Sequence, residues 1–177
     1  MAKRKNYEQS CKHLMNLGWI EEVPPIPDRM PKQDDEELGL SFFRTILEDE
    51  DQEEPFINLT IPRTYINRTK ADVISFDGTD LSESAICWNE FEDVDFCESK
   101  LRDSDMRANQ FLACVFDDAD LRGCDLRHSE FNRCTFDGAK MKGTIMTRDQ
   151  AEMMELDDKQ TSVIDWRDDA GPEPEGG

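Results

Sequence analysis

Every fifth residue from Ile61 is apolar. The series runs Ile61, Ile66, Ala71, Phe76, Leu81, Ile86, Phe91, Phe96, Leu101, Met106, Phe111, Phe116, Leu121, Leu126, Phe131, Phe136, Met141, Met146, without a gap in a chain that is 37% hydrophobic. Two places before each of these central residues, from Thr64 to Thr144, the side chain is nearly always small or β-branched. The other three places of each pentad are mostly Asp, Glu, Arg, Lys, Gly or Asn. Neither the helical period of about 3.6 nor the strand period of about 2 gives this pattern. One large and one small inward residue in five require a chain that turns a corner every five residues.

The central residues fall into four columns. The first holds Ile61, Leu81, Leu101, Leu121 and Met141; the second Ile66, Ile86, Met106, Leu126 and Met146; the third Ala71, Phe91, Phe111 and Phe131; the fourth Phe76, Phe96, Phe116 and Phe136. Phenylalanine is confined to two adjacent columns, so the composition repeats every twenty residues, as a four-sided coil requires. Thr79-Asp80-Leu81-Ser82-Glu83, Ala119-Asp120-Leu121-Arg122-Gly123 and Cys124-Asp125-Leu126-Arg127-His128 fit the motif A(D/N)LXX. Residues 61–146 thereby resemble the pentapeptide-repeat family. The resemblance implies an all-β fold, a right-handed quadrilateral parallel β-helix of about four to five coils. Such a solenoid is stabilised by contacts between neighbouring coils.

The flanks carry other periods. Tyr7, Cys11, Leu14 and Met15 form the apolar stripe of a short helix ending near Gly18. Pro24, Pro25 and Pro27 mark an extended connector, Asp34–Glu37 a charged loop, Leu40–Leu47 a strand that begins an irregular first coil, and Glu48–Glu54 an acidic loop. At the other end, Thr147-Arg148-Asp149-Gln150 is a capping box. It predicts a cap helix over about 148–160, with Val163, Ile164 and Trp166 continuing its packing. The chain thus divides into an N-terminal extension (1–55), the β-helix (56–147), a cap segment (148–166) and an acidic tail (167–177) with the composition of a disordered segment.

Charge narrows the choice of partner. The chain holds 41 acidic and 21 basic residues, a net charge of −20. That balance opposes binding to nucleic-acid phosphates or an anionic membrane, both polyanions. No apolar stretch has the length of a signal peptide or membrane span. The expected setting is therefore a cytoplasm, bacterial as the family resemblance implies, with the six cysteines reduced. Cys114, Cys124 and Cys134 take the small inward place as compact apolar groups, whereas Cys87 and Cys97 fall at outward places. No CxxC occurs and the histidines are His13 and His128 alone, so neither a metal site nor another cofactor is expected. No nucleophile elbow or phosphate loop is present, and no catalytic residue is assigned.

Outward residues of the fourth column include Asp77, Asp95, Glu98, Asp117, Asp118 and Asp137, with no base among them. The first two columns carry Lys100, Arg102, Arg107, Arg122, Arg127, Lys140 and Lys142. This is either an ordinary solvated surface or a polarised docking face. Trp88 and Leu112 interrupt the polar pattern, either as contact residues or as places covered by the N-terminal segment. Together these features fit a non-catalytic module that presents a rigid, charge-polarised surface to a protein partner. Two narrower readings remain open. The family includes Qnr-type proteins that mimic duplex DNA, which implies DNA gyrase or topoisomerase IV as partner; the other reading is an immunity-type neutraliser of a basic protein. Fourteen of the twenty excess charges lie outside residues 61–146, which weakens DNA mimicry at this level.

Overall fold

The computed structural model describes residues 3–170. The residue two places after each central position makes the corner. Every fifth residue from Arg63 to Gly143 has positive φ, from 48° at Val73 to 72° at Gly123 and Gly143. A left-handed conformation costs about 1–2 kcal/mol for a residue other than glycine. It persists because the corner amide, turned outward along the rod, reaches a carbonyl of the next coil: Glu83 N donates to Arg102 O at 2.8 Å and Asp103 N to Arg122 O at 2.9 Å.

One pentad shows where all five amides go. Ala119 N closes the turn onto Phe116 O at 3.0 Å, Asp120 N donates back to Ser99 O at 2.9 Å, and Leu121 N forward to Lys140 O at 3.0 Å. Gly123 N donates forward to Lys142 O at 3.2 Å. Arg122 N donates to Asp120 Oδ1 at 3.4 Å, which is what the Asp before the central residue supplies. Inward Ser, Thr and Asn side chains do further work between coils. Ser104 Oγ accepts from Ser84 N and donates to Leu81 O, each at 3.0 Å. Asn109 Nδ2 donates to Ile86 O at 2.7 Å, and Thr144 Oγ1 to Leu121 O at 2.8 Å.

The result is a right-handed four-sided parallel β-solenoid. On the second column β1 (Ser41–Phe43), β3 (Tyr65–Asn67) and β5 (Ala85–Cys87) pair in parallel. On the third, β2 (Ile46–Glu48), β4 (Lys70–Asp72), β6 (Glu90–Glu92), β7 (Gln110–Leu112) and β8 (Glu130–Asn132) do the same. The rod is taller than the sequence indicates, with about six turns in place of four to five. The second column alone stacks Phe42, Ile66, Ile86, Met106, Leu126, Met146 and Trp166. The step from β1 to β3 is twenty-four residues because the acidic loop is inserted in that coil, so the simple period conceals it.

Inside, the two phenylalanine columns form a herringbone. Phe76, Phe96, Phe116 and Phe136 stack nearly parallel, with ring centroids 4.9–5.3 Å apart. Phe91, Phe111 and Phe131 do likewise at 4.9–5.1 Å. The two stacks meet edge to face at 5.3–5.5 Å, an arrangement the ring quadrupole favours. Phe56 extends the fourth column below Phe76 and meets Trp19 and Phe42.

Both ends are closed. α1 (Tyr7–Asn16), capped by Asn6 and Gln9, buries Cys11 and Leu14. It is tied to the first coil by Lys5 N donating to Asn58 O at 2.8 Å and Thr60 N donating to Ser10 Oγ at 2.8 Å. At the other end the expected single cap helix is two, α2 (Arg148–Met154) and α3 (Asp158–Thr161), separated by Glu155 with a φ of 52°. Beyond them β10 (Asp165–Trp166) returns to pair with β9 (Ile145–Met146), which makes residues 165–166 part of the solenoid. Each cap helix begins with a capping box whose glutamine has a second task. Gln150 Nε2 donates to Leu126 O at 2.7 Å and Ser129 O at 2.8 Å; Gln160 Nε2 donates to Phe136 O at 2.7 Å and Ala139 O at 3.2 Å. Two boxes ten residues apart therefore cover the carbonyls of two corners. The part of the acidic tail at 171–177 lies outside the described residues. No helix among the described residues is long and apolar enough to cross a membrane.

The cap predicts a selective defect. Gln150→Glu keeps the oxygen that accepts from Thr147 N but aims a carboxylate at two buried carbonyls. It should cost about 2–4 kcal/mol by urea unfolding, whereas Glu152→Gln, at an exposed position of α2, should change stability by less than about 0.5 kcal/mol.

Candidate interaction face

The corner rule fixes which way every charge points. In residues 61–146 the outward places of the third and fourth columns hold eleven acidic and two basic residues, and those of the first two columns six acidic and nine basic. On the second pair of sides the charges neutralise one another locally. Arg107 donates to Asp105 at 2.8 Å, Arg122 to Asp120 at 2.5 Å and Arg127 to Asp125 at 2.8 Å. Lys100 and Arg102 reach Asp80 and Asp120 of neighbouring coils, each at 3.9 Å. Burial pushes the Asp120 carboxyl up, but the hydrogen bond from Arg122, with Arg102 nearby, outweighs it and holds the group below the usual range.

The acidic sides lack such partners. Among the described residues no Lys or Arg lies within 4.0 Å of the carboxylates of Asp77, Asp95, Glu98, Asp117, Asp118 or Asp137. Glu98, Asp118 and Asp137 are exposed, and Asp77, Asp95 and Asp117 are half-buried. Asp77, Asp117 and Asp137 stand in one ladder with Cys97, and Asp117 Oδ1 accepts from Asp137 N at 3.0 Å. Asp95 Oδ1 accepts from Cys97 N at 2.8 Å. Burial, then Asp95 and Glu98, raise the Asp77 carboxyl above its ordinary range. Burial and Asp95 push the Cys97 thiol up to about 12, which leaves it unreactive.

Two features of this face escape a reading of the sequence. The loop Glu48–Glu54, with six carboxylates, links β2 on the third column to Phe56 on the fourth. Charges counted with the flank therefore crown the acidic corner of the rod. The second feature is Val73, a corner residue 68% exposed in left-handed conformation, beside Asp72 and in the same corner ladder as Asp93. A β-branched residue there is a conformational outlier. The signal was a valine at the one place of the pentad that favours Gly, Asn or Asp.

The apolar candidates separate. Leu112, on β7 between Glu92 and Asn132, belongs to the acidic third column. Trp88 lies at the corner of the second and third columns, in a groove of about 250 Å³ with Ala108, His128, Glu90 and Glu130. The N-terminal connector covers a different place: Met30–Gln33 lie across Asn67, Ala85 and Cys87, and Tyr65 Oη donates to Gln33 O at 2.5 Å. Cys87, outward in its pentad, is consequently only 3% exposed.

This is the geometry that an A(D/N)LXX repeat implies, and the Pentapeptide repeats family profile matches it in eight copies, over residues 90–127 and 114–148. Residues 90–148 are pentapeptide repeats. Several solved structures are similar to it. A trypsin-treated QnrB1, described as a plasmid-mediated fluoroquinolone resistance protein, is 18% identical over 61% of this chain and 50% of its own, with a TM-score of 0.43. A pentapeptide repeat protein from the thylakoid lumen of Arabidopsis thaliana is 20% identical over 67% of this chain and 77% of its own (TM-score 0.40). One from Nostoc is 22% identical over 58% of this chain and 84% of its own (TM-score 0.43). The chain thus spans half the length of the QnrB1 structure. Among curated proteins no sequence match was found.

The strain at Val73 is testable. Asn tolerates the left-handed region, so Val73→Asn should raise the melting temperature by about 1–4 °C in calorimetry.

Proposed function

We propose that this pentapeptide-repeat domain is a non-catalytic interaction module whose acidic sides dock a basic protein. The observation that carries the reading is the sorting of charge. Carboxylates are paired with arginines on two sides of the rod and, among the described residues, left without a cation on the other two, where the Glu48–Glu54 loop adds six more. Ordered, unneutralised carboxylates raise the local concentration of a cationic partner and orient its approach. Apolar contact comes from Val73, Leu112 and Ile46, the last 62% exposed on β2. A rigid solenoid loses little conformational freedom on binding, so more of the contact energy appears as affinity.

Imitation of duplex DNA for DNA gyrase or topoisomerase IV is a narrower form of the same proposal. The full-height acidic corner, crowned by the Glu48–Glu54 loop, favours it over the charge count of residues 61–146 alone.

Reversal at Asp117 would also break its bond to Asp137 N. Glu92 and Glu98 are exposed and their carboxylates accept no protein hydrogen bond among the described residues, so they separate charge from structure. Affinity capture from a native lysate should recover a basic protein with the wild type. Glu92→Lys/Glu98→Lys should weaken its binding at least about tenfold and leave the melting temperature within about 2 °C. Equal capture by both forms would overturn the proposal, and recovery of a topoisomerase subunit, lost in the variant, would select the narrower reading.

A further inference from the structure

Four inward ladders climb the rod, and the cap treats them unequally. Gln150 closes the ladder that ends at Ser129, and Gln160 the one that ends at Ala139. Between them rises the ladder Ile74, Val94, Cys114, Cys134, and no cap side chain hydrogen-bonds its last member. Above it the cap breaks at Glu155, leaving a cavity of about 280 Å³ lined by Cys134, Met154, Glu155, Asp157 and Gln160. Cys134 is partly exposed, whereas Cys114, one coil below, is buried. We propose that Cys114 and Cys134 are a redox-responsive pair that a hydroperoxide converts into a disulfide between the last two coils.

Register makes the pair. Val115 bridges Thr135, and Thr135 N donates to Cys114 O at 3.1 Å, so the two cysteines are in-register neighbours on adjacent coils with both side chains directed inward. Their spacing is that of parallel strands, about 4.8 Å, inside the Cα separation of about 4.4–6.8 Å that a disulfide spans. Each sulfur lies in the same setting: Cys114 Sγ is 3.4 Å from Phe91 O, and Cys134 Sγ is 3.5 Å from Phe111 O. Contact with Cys114, its thiol first and then its amide, lowers the Cys134 thiol below its ordinary range against the opposing effect of burial. Cys114 is raised in return. Cys11, Cys87, Cys97 and Cys124 are all raised, chiefly by burial. Cys134 therefore combines access with thiolate character, and its neighbour is placed to resolve it.

The chemistry balances. The Cys134 thiolate attacks one oxygen of hydrogen peroxide, the O–O bond breaks, and the leaving hydroxide takes a proton to become water. The resulting sulfenic acid is attacked by the Cys114 sulfur; the S–S bond forms, the S–O bond breaks, and hydroxide leaves with the Cys114 proton as a second water. Two thiols are oxidised by two electrons and one peroxide is reduced. Asp137, Glu155 and Asp157 line the cavity mouth, which admits a neutral peroxide more readily than an anionic disulfide.

The test uses the full reduced chain, stoichiometric hydrogen peroxide, alkylation and tryptic mass spectrometry. The expected product is a cross-link between peptides 108–122 and 134–140, with four of the six thiols still alkylated. Cys114→Ser should leave Cys134 as a sulfenic acid trapped by dimedone, and Cys134→Ser should leave Cys114 reduced. Cys134 recovered as free thiol or as sulfinic acid in the wild-type chain, without the cross-link, would overturn the proposal.

Discussion

The structure depends on one constraint, a left-handed corner at every fifth residue whose amide is committed to the next coil. The corner is conformationally costly, and it is held only because its N–H cannot be satisfied within its own coil. The same geometry turns central residues inward in four columns, where they stack on their own kind. At the inward place the amide either reaches a side chain of the next coil, as Ser84 N does at Ser104 Oγ, or closes onto the turn carbonyl, as at Ser104 and Ala119. At Gly123 a Cβ would meet the Asp103 carboxylate of the coil below, so a larger residue there would have to displace that side chain.

Because position in the pentad fixes direction in space, charge becomes a function of the side of the rod. Asp before the central residue accepts the amide two places on, and Arg at that place folds back onto the same carboxylate, so a side rich in Asp-Leu-Arg neutralises itself. The phenylalanine columns lack that combination and their carboxylates accumulate. The acidic face is thus a by-product of which pentads lie over which column, maintained by a frame too rigid to let distant lysines reach across.

The body of the fold was legible because each inward column keeps its own chemistry over many coils. What was hidden lay where the period is interrupted. The four extra residues in the first coil shift β1 and β2 out of phase, so the run Leu40–Leu47 reads as an irregular first coil while its register is visible only in the pairing of Phe42 with Ile66. At the far end β10 resumes the phase twenty residues after β9, but two helices stand between them and the intervening sequence reads as one cap. The six acidic-side residues could be placed by column, whereas the Glu48–Glu54 loop could not. The covering of Cys87 by Met30–Gln33 is a contact between distant segments that no local pattern encodes.

The central claim is that carboxylates are unpaired on one side of the rod and paired on the other. Carbon-detected NMR titration of the aspartate carboxyls in the full chain tests it most directly. Asp77, half-buried beside Asp95 and Glu98, should release its proton above the ordinary aspartate range, and Asp120, held by Arg122 and Arg102, below it. Raising the salt should draw the two together. Titration of both at the same ordinary value at low salt would contradict the sorting of charge on which the proposed function rests.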